Sequence, residues 1–491
     1  MLALNSLRRL TKDGNLKIEV TSSLTEVAIV IFGEVLERFV RETPVTVMMR
    51  AAMENAFSTE AIDGLFADTA TQQREGELLF STVVDLLSLA VCGVRKSVNA
   101  AYVAAQERVE VSVKSVYNKL NGVETEVSRE LVRRPTARLR QIVRAMRAPR
   151  PTPFPGYCVK ILDGNHLPST EHRLAELRTT RSGPLPGQAL CVLEPAQMLI
   201  TDVFPCEDGH AQERQLLPRV LETVQPKDVW IDDRNFCTTQ FLFGIHERRA
   251  FFVTRQHAST LTYELLKKRK LVGRCATGMV YEQSMRLTHP DGRTLKVRRI
   301  TVVLDQPTTN GDREIHILTN LPKRLSALVV AEGYRTRWTI ENAFQELEQS
   351  LESEIRTLAY PKAALLAFCL AVVTYNLLSV VKNALGKVHG EIVPRERLSG
   401  YYLAEEISAS YRGMLVALPP LTWRRRFASL TPRALAQVLT QIAAHARPEQ
   451  FRKTQRGPKK PRPKRSSGKR NHHVSTARIL AKRTPKTKAN C

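Results

Sequence analysis

At 491 residues the chain is long enough for a large core and about two to four domains, which excludes a small stapled scaffold. Its 74 Lys and Arg against 48 Asp and Glu give a formal charge of +26, which points first to a polyanion such as DNA or RNA, with an anionic membrane or a ribosome as alternatives. The eight cysteines lie far apart with no CxxC pair and read as free thiols of a reducing cytoplasm; Met1–Gly14 holds no apolar run long enough for a signal peptide.

Residues 1 to about 150 show helical periodicity, with apolar residues at three-to-four spacing in Leu24–Val40, Phe80–Val94 and Val98–Arg108. Ser112 is placed to cap a short helix whose inward face is Val113, Val116, Tyr117 and Leu120. Its outward face holds Lys114, Ser115, Asn118 and Lys119. With the preceding helix this predicts a helix-turn-helix in which Lys114, Asn118 and Lys119 reach a DNA groove, although any small helical bundle supplies such a pair. Between Leu131 and Arg150 stand seven arginines and no acid. Like charges at that density repel unless a polyanion neutralises them, so the run is read as an Arg-rich linker touching phosphate. Pro151, Pro153 and Pro155 end any helix and mark a domain boundary at 150/151.

Short apolar runs follow: Tyr157–Leu162 before Asp163-Gly164, Gln188–Leu193 before Glu194-Pro195, and Met198–Phe204 before Pro205. Ala211–Val224 reads as a helix, and Asp228–Ile231 and Phe251–Thr254 as two further strands. Strand-strand-strand-helix-strand-helix-strand is the order of a ribonuclease-H-like fold. Asp163 closes the first strand and Asp233 the fourth, and in such a sheet those strands are neighbours. Turn-forming is the ordinary role of an Asp at a strand end.

From residue 256 to about 330, alternating segments split by Pro290-Asp291-Gly292 and Asn310-Gly311 predict hairpins of a second small sheet. Arg255, just before them, is a candidate phosphate contact or a plain surface arginine. The stretch Gly333–Glu348 reads as one helix with two stripes. At about 100° per residue, Ile340, Phe344, Leu347, Leu351 and Leu358 share an apolar sector, and Tyr334, Arg337, Glu341 and Glu348 line up beside it. Ala363–Val381 is the most hydrophobic stretch, but Thr374, Tyr375 and Asn376 interrupt it, so it is expected to be a buried helix and no membrane is expected. Residues 386–451 read as a helical C-terminal region. From Arg452 onward there are fifteen Lys and Arg, no acid and several prolines, which predicts a disordered basic tail over 452–491.

The series Tyr334, Arg337-Trp338, Ile340-Glu341, Phe344 and Leu347 resembles the signature helix of insertion-sequence DDE transposases in the branch with a Tyr-Arg-Glu-Lys motif. The resemblance covers roughly residues 155 to 385. It implies that Asp163, Asp233 and Glu341 are catalytic, metal-binding carboxylates, and it selects Asp233 over Asp232. It also implies that Tyr334 and Arg337 contact transposon-end DNA, with Trp338 stacking on a base or packing under the helix. The branch carries a β-rich insertion where residues 256–330 stand. The family's lysine, seven residues after the Glu, is Glu348 here, so Arg356 or the tail would have to replace its contact, or this copy is weakened.

The expected architecture is therefore α/β: a helical DNA-binding domain over 1–150, a ribonuclease-H-like catalytic domain over 151–385, a helical region over 386–451 and the tail. The expected activity is cut-and-paste DNA transposition on double-stranded DNA, at terminal inverted repeats and target, with Mg2+ as cofactor and Mn2+ able to substitute. A homodimer in the synaptic complex and a bacterial, nucleoid-associated cytoplasmic setting go with it. The alternatives are a transposase-derived non-catalytic DNA-binding protein and a ribonuclease-H-like nuclease without strand transfer.

Overall fold

The computed structural model describes residues 33–73, 76–148, 151–167, 170, 174–180, 184–308, 311–454 and 474–482. Arg150 and most of the basic tail lie outside the described residues. Among the described residues seven α-helices come first: α1 (Glu34–Glu42), α2 (Pro44–Ala56), α3 (Thr59–Thr69), α4 (Phe80–Val91), α5 (Val98–Ala105), α6 (Val113–Gly122) and α7 (Thr125–Ala145). Ser112 caps α6 as its position predicts, accepting from the Ser115 amide at 3.2 Å.

The middle of the chain contributes β1 (Cys158–His166), β2 (Pro184–Leu185), β3 (Gln188–Glu194), β4 (Leu199–Cys206), α8 (Leu217–Leu221), β5 (Asp228–Asp232), α9 (Thr239–Glu247) and β6 (Phe251–Arg255). Next come β7 (Thr262–Leu265), β8 (Lys270–Cys275), β9 (Gly278–Thr288), β10 (Thr294–Leu304) and β11 (Glu314–Thr319), and then helices α10 (Ala327–Arg335), α11 (Trp338–Ser350), α12 (Pro361–His389), α13 (Gly400–Ala417), α14 (Pro420–Phe427) and α15 (Pro432–Ala443).

The molecule is mixed α/β around a central sheet of order β4-β3-β1-β5-β6-β11-β10-β9-β7, with β8 also on β9. β1, β5 and β6 run parallel, and β3 and β4 extend the sheet antiparallel on the β1 side. The strands after β6 do not form the expected second sheet. β11 pairs antiparallel with β6, through Ile317↔Arg255 to Thr319↔Val253, so the insertion continues the same sheet. Asn320 secures the junction: its Oδ1 accepts from the Phe252 amide at 2.9 Å and its Nδ2 donates to the Ala250 carbonyl at 3.0 Å.

Period-two alternation splits the sheet between two cores. Ile161, Val229, Ile231, Val253 and Ile317 face the helical assembly, while Leu162, Trp230, Phe252 and Leu318 join Leu217, Val220, Phe241 and Leu242 of α8 and α9. The helical assembly is built on α12, which packs against α2, α4, α6, α7, α15 and β4. α12 is long and apolar enough to cross a bilayer, yet its most apolar window is wholly buried within the molecule. The polar interruption has a partner: Asn376 accepts from the Ile200 amide and donates to the Ile200 carbonyl and to Thr136 Oγ1, each at 2.8 Å. Ile200 lies on the edge strand β4, and the side chain satisfies the backbone pair that the edge leaves open.

The Arg-rich segment is no linker. It is the body of α7, packed on β4 and α12. Arg129 makes a two-pronged bond to Asp202 at 3.0 and 3.1 Å, Arg134 pairs with Asp68 at 2.7 Å, and Arg140 with Glu194 at 2.6 Å. Arg133 pairs with Glu130 at 2.5 Å, and Arg138 donates to Asn55 Oδ1 at 3.0 Å. Acids near and far in sequence thus pair with several arginines of a run that looks unbalanced locally. The tail also departs from expectation at its end. Val474–Ser475 pairs as β12 with β2, and α16 (Thr476–Ala481) sets Ile479 and Leu480 beside Leu174, Leu177 and Ala359, while Arg478 Nε donates to Asp208 at 2.5 Å. An apolar pair inside the basic sequence provides the reason to order it.

Candidate active site

β1 and β5 are laddered from Cys158↔Asp228 to Ile161↔Ile231. Two residues beyond that last pair stand Asp163 and Asp233, on the parity of Ile161 and Ile231 and hence on the face that meets α11, which packs on β1. Asp232 has the opposite parity, beside Thr254 and on the side of Trp230. It is fully buried, neither carboxylate oxygen has a partner, and burial pushes its carboxyl well above the usual range. It lies behind the sheet, on the face opposite to Asp163 and Asp233.

The stretch expected to be one helix is two. α10 ends at Arg335, and the bonds Thr336 N to Gly333 O, Arg337 N to Tyr334 O, Thr339 N to Thr336 O and Ile340 N to Arg337 O all span three residues. That tighter winding, reinforced by the Thr336 hydroxyl donating to the Gly333 carbonyl at 2.7 Å, turns the chain before α11. Gly333 is required there because a Cβ would overlap the Phe154 ring.

Arg337 leaves this turn with its side chain nine-tenths buried. Its Nη1 donates to Asp163 Oδ2 at 2.9 Å and its Nη2 to Glu341 Oε1 at 2.6 Å. Asp163 Oδ1 accepts from the Gly164 amide at 2.9 Å, and Asp233 Oδ1 accepts from the Arg234 amide at 2.7 Å, capping the turn Arg234–Phe236. Burial pushes the Asp163 carboxyl up to about 6; Arg337 opposes the rise, and the charges of Glu341 and Asp233 add to it. Asp163 and Glu341 thus share one guanidinium, which also feels the charge of Asp233. Tyr334 is buried, and burial raises its hydroxyl above the ordinary tyrosine range. Trp338 is 61% exposed, and the Arg337 guanidinium carbon lies 5.3 Å from its ring centroid.

The remaining predicted contacts lie apart from this group. Arg255 pairs with Asp312 at 2.7 Å across the loop between β10 and β11. Lys114 and Asn118 are exposed on α6, whereas Lys119 folds back to 4.1 Å from the Phe66 ring centroid. Glu348 is exposed on α11. Leu351 has left the helix with extended backbone, so Arg356 is not two turns further along it as expected. Leu351 and Leu358 are nonetheless buried with Ile340, Phe344 and Leu347. Sequence reasoning missed Glu213 and Arg214, which touch the residues following both aspartates. Nothing local to Ala211–Val224 signals this.

A hard divalent cation wants oxygen donors, and three carboxylates around a cationic group are such a set. Among the described residues no three His, Cys, Asp or Glu side chains stand close enough to hold an ion. The chemistry of the donors fits a hard cation, and the present partner of Asp163 and Glu341 is the Arg337 guanidinium.

Residues 155–377 match the family described as the transposase DDE domain. A solved structure of a piggyBac transposase synaptic complex with hairpin DNA is similar at 10% identity, covering 80% of this chain and 86% of that chain with a TM-score of 0.34. No curated protein matches.

Proposed function

We propose that the protein is a DNA transposase of the Tyr-Arg-Glu-Lys branch, with a ribonuclease-H-like core, that binds the terminal inverted repeats of its own insertion sequence and moves it by cut-and-paste. The observation that carries the reading is that Arg337 bonds both Asp163, from the end of the first strand, and Glu341, from the helix after the insertion, with Asp233 beside them. The strand order, antiparallel β4-β3-β1 followed by parallel β1-β5-β6, supports the ribonuclease-H-like reading.

In this reading Asp163, Asp233 and Glu341 hold Mg2+, or Mn2+ in its place, once Arg337 releases a carboxylate. Held there, such a cation would supply activation of the attacking oxygen and stabilisation of the leaving oxygen at phosphorus. Arg337, once released, stands beside Tyr334 and Trp338 and takes a phosphate near the cleaved end. Double-stranded DNA is the partner, two protomers synapse two ends, and α6 with Lys114 and Asn118 contributes end recognition.

The test is cleavage of DNA carrying the inverted repeats that flank the coding region. Asp163→Asn, Asp233→Asn and Glu341→Gln should each lose cleavage by at least about a thousandfold while binding DNA nearly as the parent does. Full cleavage by any of the three would refute the assignment of that residue. Absence of flanking inverted repeats would favour a nuclease without strand transfer.

A further inference from the structure

The ladder between β1 and β5 stops at Ile161↔Ile231, so the backbone that carries Asp163 and Asp233 runs on with no β1–β5 bonds to set its spacing. A side chain from neither strand closes that opening. Glu213 begins the short 3-10 turn Glu213–Leu216 between β4 and α8, and its side chain is 17% exposed. One carboxylate oxygen accepts from the Asn235 side-chain amide. The other lies over Gly164, where any Cβ would overlap it, and 4.0 Å from His166 Nδ1. Arg214 donates from Nε to the Asn235 carbonyl at 2.6 Å. Two adjacent residues therefore grip Asn235 by side chain and main chain, while the first of them abuts β1.

Both contacts fall one or two residues past an aspartate. Gly164 follows Asp163 and donates its amide to that carboxylate; Asn235 belongs to the turn that Asp233 caps. A Cβ after Asp163 would have to displace the Glu213 carboxylate from its place over β1.

We propose that Glu213 is a positioning residue that spans the unladdered ends of β1 and β5 and sets the separation of Asp163 and Asp233. It acts through its hydrogen bond to Asn235, not by charge and not by binding an ion. The inference rests on Asp163 and Asp233 being the metal carboxylates.

The experiment is calorimetric titration of the full-length protein with Mn2+ alone, with the melting temperature recorded in chelator. Glu213→Ala should weaken Mn2+ binding about tenfold, as loss of a supporting partner does, and Glu213→Gln should stay within about twofold, since its carbonyl still accepts from Asn235. Asn235→Ala should reproduce the tenfold loss, and the double variant should be no weaker than either single one. Unchanged Mn2+ affinity in Glu213→Ala or Asn235→Ala overturns the proposal. So does Glu213→Gln binding as poorly as Glu213→Ala, because charge would then be the operative property. If Glu213→Ala does not fold, the Asn235→Ala and Glu213→Gln pair decides alone. Asp163→Asn separates the two readings: wild-type affinity there refutes the metal assignment itself, whereas its loss beside an unaffected Glu213→Ala refutes only the positioning role.

Discussion

Arg337 Nη1 lies 2.9 Å from Asp163 Oδ2, joining a turn between two helices to the end of the first strand of the sheet. The contact spans 174 positions of sequence, and the same guanidinium also holds Glu341. It opposes the rise that burial imposes on the Asp163 carboxyl.

Removing that cation leaves Asp163, Asp233 and Glu341 to repel one another with little water to screen them. Arg337→Ala is expected to lower stability in chelator by about 3 kcal/mol, the scale for breaking a buried pair from one side. Added Mn2+ should raise the melting temperature of the variant by more than it raises that of the parent, because the ion takes the vacated place. Arg337→Lys, with the charge but without the two-pronged geometry, should fall between. Equal Mn2+ shifts in parent and Arg337→Ala would show that the guanidinium and the ion do not compete.

Glu348 stands where the resemblance expects a lysine, and it has a consequence inside the fold. Burial, with Glu348 adding to it, pushes the Glu354 carboxyl up to about 8 from an ordinary 4.5. A folded value above the unfolded one means that the contribution of Glu354 to stability is complete below about pH 4.5 and is lost as pH rises through about 8. Thermal melts should therefore decline across that window. Glu354→Gln should flatten the decline and Glu348→Lys should reduce it. If position 348 faces DNA, Glu348→Lys also tightens end binding, more at low salt than at high. A Glu348→Lys protein whose pH profile matches the parent would remove Glu348 as a cause.

Asn376 lies in the middle of an otherwise apolar helix and makes three bonds to β4 and α7. Replacing it with Leu strands the amide and carbonyl of Ile200 in a dry interface. The expected loss is on the order of 2 to 4 kcal/mol in chemical denaturation, the cost of buried backbone groups left unsatisfied. A loss below about 1 kcal/mol would mean that water reaches the edge of β4.

The basic tail divides into the segment 455–473 and the docked end formed by β12 and α16. Truncation after residue 454 should weaken binding to all DNA alike and flatten its salt dependence, since each lost phosphate contact removes released counterions. Truncation after residue 473, which spares that segment, should have a smaller effect on the salt slope. Loss of sequence preference in either truncation would assign base reading to the tail.

Local pattern by itself determined most of the elements in this chain. Short apolar runs marked β1, β3, β4, β5 and β6 in order, Ser112 marked the start of α6, and the apolar length of 363–381 marked a core helix. These depend on neighbours a few residues apart, and a linear reading sees them. The resemblance of the Tyr334–Leu347 series to a known family, added to that reading, named Asp163, Asp233, Arg337 and Glu341. Tertiary structure decided whatever depends on partners far along the chain. The arginines of α7 looked like a phosphate-binding run because Asp202, Asp68 and Glu194 lie elsewhere in sequence. The insertion looked like a separate sheet because a linear pattern does not say which edge β11 joins. The break before Arg337 and the reach of Glu213 to Gly164 and Asn235 were equally out of view, since short-range signals carry neither three-residue winding nor contact between turns. Charge balance, strand partnership and the spacing of the two aspartates arise only when distant residues are brought together, and there the physics of burial overrides local pattern.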